Sequence, residues 1–128
     1  MTETRRPVIF AGAGPGDPDL ITLKAKKALE RADLVIYAGS LVPEAVLCWT
    51  KKEASAISSA GMTLEDTSRA IREAYEKGEA VVRLHTGDPS FYGAIFEQMI
   101  LLDKQSIPYE VIPGVTAAFA ASAAMKME

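Results

Sequence analysis

Arg83-Leu84-His85-Thr86-Gly87-Asp88-Pro89-Ser90-Phe91-Tyr92-Gly93 is the stretch on which the reading of this chain turns. The largely apolar run 80–84 enters it and reads as a buried strand. The chain then breaks on a glycine, an acid and a proline, and a helical pattern begins. A strand end that opens onto a helix start is where open α/β sheets place their ligands. Gly87 lets the backbone approach a ligand closely or take a positive φ. Asp88 can cap the next helix, and Pro89 suits its first turn. A well-capped turn with no ligand has the same appearance, so the motif alone leaves both readings open.

Outward from this turn, the chain alternates between two kinds of segment. Residues 8–11, 34–37, 54–58, 80–84 and 109–112 read as strands, the third weakly. The first is apolar throughout, as parallel strands buried on both faces tend to be. A helix is expected from Thr22 to about Ala32, with Ala25, Ala28, Leu29 and Ala32 at helical spacing. A short helix follows Pro43 to about Lys51. There Cys48 is expected to be a small core residue, and Trp49 a packing residue. Thr63 and Asp66 resemble a capping box. That helix runs to about Lys77 with Thr67, Ala70, Ile71, Ala74 and Tyr75 inward, and Gly78 stops it. Ile95, Met99 and Leu102 share a face of the next helix. An alanine-rich helix opens at Val115 and ends near Met125. The expected fold is α/β: one domain over residues 1–128, with a five-stranded, mainly parallel sheet, helices on both faces and right-handed crossovers.

Composition narrows the function classes. At 128 residues, 48% hydrophobic and 24% charged, the chain suits one globular domain with a real core. It has no apolar run of membrane-spanning length and no signal-peptide pattern, so a cytoplasmic protein is expected. One cysteine and one histidine leave no disulfide and no Cys- or His-based metal cluster, so no protein-bound metal is expected. The formal net charge of −3 argues against nucleic acid as a partner.

Three strand ends carry glycine with proline, at residues 12–18, 87–89 and 113–114, which suggests one crevice along the top of the sheet. Gly16-Asp17-Pro18 and Gly87-Asp88-Pro89 echo each other as similar turn chemistry. A dinucleotide fold needs G-x-G-x-x-G. Here Gly12 and Gly14 lead to Asp17, where an acid repels a pyrophosphate. Pro15 removes an N–H that the pyrophosphate needs, and Ala38 stands where a ribose-binding acid belongs. No Gly-Lys-Ser/Thr follows, so the P-loop pattern fails as well.

The residues from Val8 to Lys24, VIFAGAGPGDPDLITLK, resemble the signature of the tetrapyrrole (corrin and sirohaem) methylases. The block from Thr86 to Pro89 and the run Pro113-Gly114-Val115-Thr116-Ala117 match two further motifs of that family. Together they cover nearly the whole chain. The likeness narrows, through the runs at 36–42, 59–65 and 83–90, to the branch that methylates precorrin-4 or cobalt-precorrin-4 at C11. The family's uroporphyrinogen methylases carry an acid where this chain has Ala38.

That resemblance implies methyl transfer from S-adenosylmethionine, leaving S-adenosylhomocysteine, to a ring carbon of a corrin precursor. It puts the donor contacts on Pro15, Thr86, Gly87, Asp88, Phe91, Thr116 and Ala117. Asp88 balances a cationic amino group or caps a helix; Thr116 bonds the donor or caps a helix. A tetrapyrrole is expected over the first loop, where Gly12, Gly14 and Gly16 give room, with Ser40, Ser59 and Met62 as walls. Its carboxylates call for some lysine or arginine, which the sequence does not single out. His85 is a hydrogen-bond partner in the cleft or a structural residue. No catalytic base is assigned. The family implies a chain about twice as long and a homodimer. On that reading the present chain is the N-terminal half, inactive alone, with an apolar patch where a second α/β domain docks. A domain that binds donor or tetrapyrrole without catalysis, and a relative that methylates another ring carbon, are the alternatives.

Overall fold

The computed structural model describes residues 5–91 and 93–128; Tyr92 of the central motif lies outside the described residues. Five strands, β1 (Val8–Gly12), β2 (Leu34–Tyr37), β3 (Ser55–Ser58), β4 (Val81–His85) and β5 (Tyr109–Ile112), form one sheet in the order β3-β2-β4-β1-β5. Every pairing is parallel: Ile9 stands opposite Val82 and Gly12 opposite His85, while Ala11 stands opposite Ile112. Four α-helices accompany the sheet: α1 (Leu23–Arg31), α2 (Leu64–Glu76), α3 (Ile95–Lys104) and α4 (Ala117–Met125).

Side chains alternate across the strands, so each strand feeds two cores. Ala11, Val35 and Leu84 pack on one face with Leu29 of α1 and with Val46. Phe10 and Ile36 pack on the other with Ile71 of α2 and Leu102 of α3. The first two connections step one way across the sheet over the first face. The next two step back over the second, as right-handed crossovers require. β4 therefore stands between β1 and β2, whose connections leave on the face opposite to its own, and this is a topological switch point.

Local chemistry explains where the helices start and stop. The Thr22 hydroxyl accepts from Ala25 N–H at 3.1 Å. Thr63 and Asp66 form a reciprocal capping box at 3.0 and 3.1 Å. Gly78 takes φ +81° just past α2, a left-handed conformation that glycine adopts freely.

Two expectations need correction. The short helix after Pro43 is a 3-10 helix over Glu44–Trp49, and Cys48 is not a core residue on it. With three residues per turn, Val46 and Trp49 share the inward edge and Cys48 is turned outward, so the cysteine is exposed rather than in the core. Trp49 does pack: its indole N–H donates to Pro18 O at 3.2 Å, and the Lys26 ammonium lies 4.6 Å from its ring centroid. The second correction concerns the central motif. α3 starts at Ile95, and Asp88 does not cap it. Pro89 is fully buried, and a Cβ on Gly93 would collide with Pro89 O, so the chain doubles back tightly before the helix begins. Ala94 then leads into α3 with φ 51°, and no side chain among the described residues caps the helix.

α4 departs from the other helices. None of its residues is buried, and Phe119 and Met125 are exposed.

Asp33 ties three segments together at the other end of the sheet. One carboxylate oxygen accepts from the Lys51 ammonium at 2.7 Å and the other from Ala80 N–H at 2.8 Å. These bonds hold its pKa below the usual 3.8. A carboxylate with a lowered folded pKa stabilises the protein above its unfolded pKa, and that contribution fades as pH falls through the folded value. Asp33→Asn is therefore expected to lower the denaturation midpoint at pH 7. The gap from wild type should close as pH falls below 3.8, and a gap that persists in acid would mean the charge is not what Asp33 contributes.

Candidate functional site

The carboxyl ends of β1, β4 and β5 meet in one junction. Ala13 N–H donates to His85 O at 2.6 Å; Gly87 N–H donates to Gly14 O at 2.8 Å and Gly14 N–H to Gly87 O at 3.2 Å. A Cβ on Gly12 would collide with Gly87 O and lie 2.7 Å from Gly114 Cα. A Cβ on Gly114 would collide with the same oxygen and lie 2.9 Å from Gly12 Cα. Three glycines thus let three backbones touch. Asp88 fastens the arrangement: one carboxylate oxygen accepts from Ser90 N–H at 2.8 Å, the other from Gly114 N–H at 2.9 Å. Asp17 makes the same turn bond to Asp19 N–H at 2.9 Å, which accounts for the echo between the two Gly-Asp-Pro runs.

The residues expected to meet a methyl donor fall around this junction. Gly87 has φ +59°, and its Cα side faces Thr116 Cα and Ala117 N, which a Cβ there would meet at 3.6 and 3.9 Å. Thr86, Phe91 and Ala117 are exposed, Pro15 and Asp88 half-buried. Half-buried Thr116 caps α4, its hydroxyl accepting from Phe119 N–H at 3.4 Å. The macrocycle residues divide. Ser59 and Met62 line one cavity of about 300 Å³ between the amino ends of α2 and α3. Ser40 lies on the exposed turn after β2 and does not line it. The expectation that Gly12 and Gly14 clear space for a ring needs correction: Gly87 O and Gly114 Cα fill the room beside Gly12, and Leu20 O, 2.8 Å from a Cβ on Gly14, fills the room there. Gly16 has more open surroundings, with the Pro43 ring 3.5 Å from where a Cβ would stand.

The family model for tetrapyrrole (corrin/porphyrin) methylases matches residues 7–128. The chain belongs to the tetrapyrrole methylases. It is 55% identical over 126 residues to a cobalt-precorrin-4 C(11)-methyltransferase of Methanocaldococcus jannaschii, an alignment that covers 98% of this chain and 49% of that protein. The structure of a cobalt precorrin-4 methyltransferase superposes with a TM-score of 0.91 at 48% identity, over 94% of this chain and 51% of the other. A uroporphyrin-III C-methyl transferase from Thermus thermophilus, solved with S-adenosyl homocysteine, superposes with a TM-score of 0.75 at 36% identity, over 91% of this chain and 48% of the other. The chain spans about half the length of the curated relatives it matches.

Among the residues expected to meet a methyl donor there is no basic group. Their one acid, Asp88, is already satisfied by two N–H donors. The junction therefore suits a cationic sulfonium better than a pyrophosphate. An exposed hydroxyl on Thr86 and an exposed ring on Phe91 stand beside it.

His85 closes β4 beneath the methylase junction. It is buried, its ring stacks on Phe10 with centroids 6.1 Å apart, and its Nε2 has no hydrogen-bond partner among the described residues. Burial, with the nearby Arg83 cation, pushes its pKa down to about 3. Of the two roles open for it, the structural one fits. The unfolded chain binds a proton at His85 below about 6.5 and the fold resists it, so this residue erodes stability as pH falls from there toward 3. The imidazole carbon-bound protons, followed by NMR, should show no titration between pH 8 and pH 5. A midpoint near 6.5 would mean the ring is not held as described.

The Gly12 contact is tested by comparing two glycines. Gly61, at φ +82°, has no atom within 4 Å of where a Cβ would stand. Gly61→Ala is expected to cost about 1 kcal/mol from backbone strain alone. Gly12→Ala drives a methyl group into backbone and should cost about 3 kcal/mol or more by urea denaturation. Equal costs would mean that the junction gives way.

Proposed function

We propose that this chain is the N-terminal, donor-binding half of a two-domain C-methyltransferase. The reaction is methyl transfer from S-adenosylmethionine to C11 of precorrin-4 or cobalt-precorrin-4 in cobalamin biosynthesis. The carrying observation is the junction itself: Gly87, Asp88, Thr116 and Ala117 converge on the first glycine loop at the switch point of a parallel sheet. In this reading Pro15, Thr86, Gly87, Asp88, Phe91, Thr116 and Ala117 surround the donor, Asp88 by holding the two loops together. The macrocycle lies against Gly16, Ser59 and Met62, with Ser40 at its margin, and Gly12 and Gly14 set the shape of the floor. The names of the relatives support the substrate class and the C11 position. Metal enters as cobalt already inside the substrate.

The reaction needs alignment more than acid or base power, because the sulfonium is already a strong methylating agent. Holding the ring carbon in line with the methyl group is worth roughly 7–11 kcal/mol when the geometry is near ideal. The second domain closes over the donor, and the exposed apolar side chains of α4 and Phe91 belong to the surface it covers. Full-length protein is a cytoplasmic homodimer in this reading. Among the described residues no helix is long and apolar enough to cross a membrane.

Calorimetric titration of the 128-residue chain with S-adenosylhomocysteine, and with NAD as control, tests the donor half of this reading. Binding of the first with no response to NAD is expected, together with little or no methyl transfer by the chain alone. Binding of NAD, or turnover at the rate of a full-length enzyme, would overturn it.

A further inference from the structure

The cavity that Ser59 and Met62 line has a third polar wall that the donor and the ring contacts leave unused. Arg83 sits in the middle of β4 on the α2–α3 face and is only 8% exposed. Its Nε donates to Gln98 Oε1 at 3.2 Å and its Nη1 to Ile36 O at 3.2 Å. Among the described residues Nη2 has no hydrogen-bond partner, and no carboxylate lies within ion-pair distance of the guanidinium. Burial lowers its pKa only to about 10, so it is a cation at neutral pH. A buried cation held by two neutral oxygens is an incomplete arrangement, because desolvation of the charge is not offset by an opposite one.

The helix end beside Arg83 shares its sign. α3 begins at Ala94, Glu97 and Gln98 line the cavity from its first turn, and no side chain among the described residues caps it. The free N–H groups and the positive end of the helix dipole therefore lie at the cavity. Of the acids nearby, Asp66 is spent on Thr63 N–H and Arg69. Glu97 is exposed at the rim and makes no ion pair with Arg83.

We infer that Arg83 and the uncapped amino end of α3 form a carboxylate subsite, which takes one acidic side arm of the tetrapyrrole and so fixes how the ring is turned in the cleft. This rests on the proposed tetrapyrrole substrate. The guanidinium presents a planar fork matched to a carboxylate, and Gln98 holds that fork by Nε and Ile36 O holds it by Nη1, leaving Nη2 for the ligand. The arginine interrupts an otherwise apolar strand, Val81-Val82-Arg83-Leu84, and that interruption is the sequence signal for it.

Uroporphyrin III, a macrocycle with carboxylates around its rim, is a suitable probe, titrated by fluorescence into the wild-type chain and two variants. Arg83→Gln removes the charge and is expected to weaken binding by about tenfold to a hundredfold. Gln98→Glu keeps the side-chain shape and supplies Arg83 with an internal carboxylate. It should weaken binding by about tenfold while the chain stays folded, the new ion pair with Arg83 offsetting the lost bond from Gln98 Nε2 to Ala94 O at 3.3 Å. If folded Arg83→Gln binds the porphyrin as tightly as wild type, the subsite is wrong while the substrate class stands. If Arg83→Gln does not fold, Gln98→Glu decides, and wild-type affinity in that variant overturns the subsite. If the wild-type chain does not bind uroporphyrin III, the tetrapyrrole reading fails for this half and the subsite fails with it.

Discussion

Close backbone contact among Gly12, Gly87 and Gly114 is the constraint on which the working end of this molecule depends. Parallel strands deliver their carboxyl ends side by side, but side chains on the exit loops normally keep those loops apart. Here no side chain intervenes, so Gly87 O sits where two Cβ atoms would otherwise stand. The Asp88 carboxylate then joins the β4 exit to the β5 exit through Gly114 N–H. A single acid thus performs the bracing that elsewhere takes several packed side chains. It leaves Thr86, Phe91 and Ala117 turned outward around a fixed backbone. Preorganisation of this kind suits a reaction whose catalyst has to align reagents rather than move protons.

The two faces of the sheet differ in what they bury. The α1 face is a uniform apolar core of alanines, valines and leucines. The α2–α3 face admits Arg83, His85 and Gln98 near the carboxyl ends of its strands. Polar groups at that depth are expensive unless paired. Their concentration on one face, at the end where the loops converge, sets that face apart from the uniformly apolar one. His85 is kept neutral and stacked; Arg83 stays charged and incompletely satisfied.

Much of this was legible in the residues. The five strands, the parallel α/β class, the capping box at Thr63 and the inward face of α2 follow from periodicity and cap chemistry, and the motif runs carried the family. Other features depend on contacts that no local pattern encodes. Asp88 reads as a ligand contact or a helix cap; its partner, Gly114, lies on a different loop that neither reading points to. Cys48 reads as core on helical spacing, and the 3-10 geometry turns it out. Gly12 and Gly14 read as open floor, since a sequence shows that a side chain is missing and not what occupies its place.

The position of β1 has a consequence for how the chain is made. It precedes the other four strands of the sheet, yet its two neighbours are β4 and β5, the last of the five in chain order. Val8 to Gly12 is apolar on both faces and stays without partners at either edge until the roughly seventy residues up to β4 have been synthesised. Non-local parallel pairing of this kind closes late and slowly, and unpaired apolar strands are what aggregation feeds on. The strand that anchors the finished site is thus the one most in need of protection during synthesis, and output of folded protein will be governed by how quickly β4 reaches it.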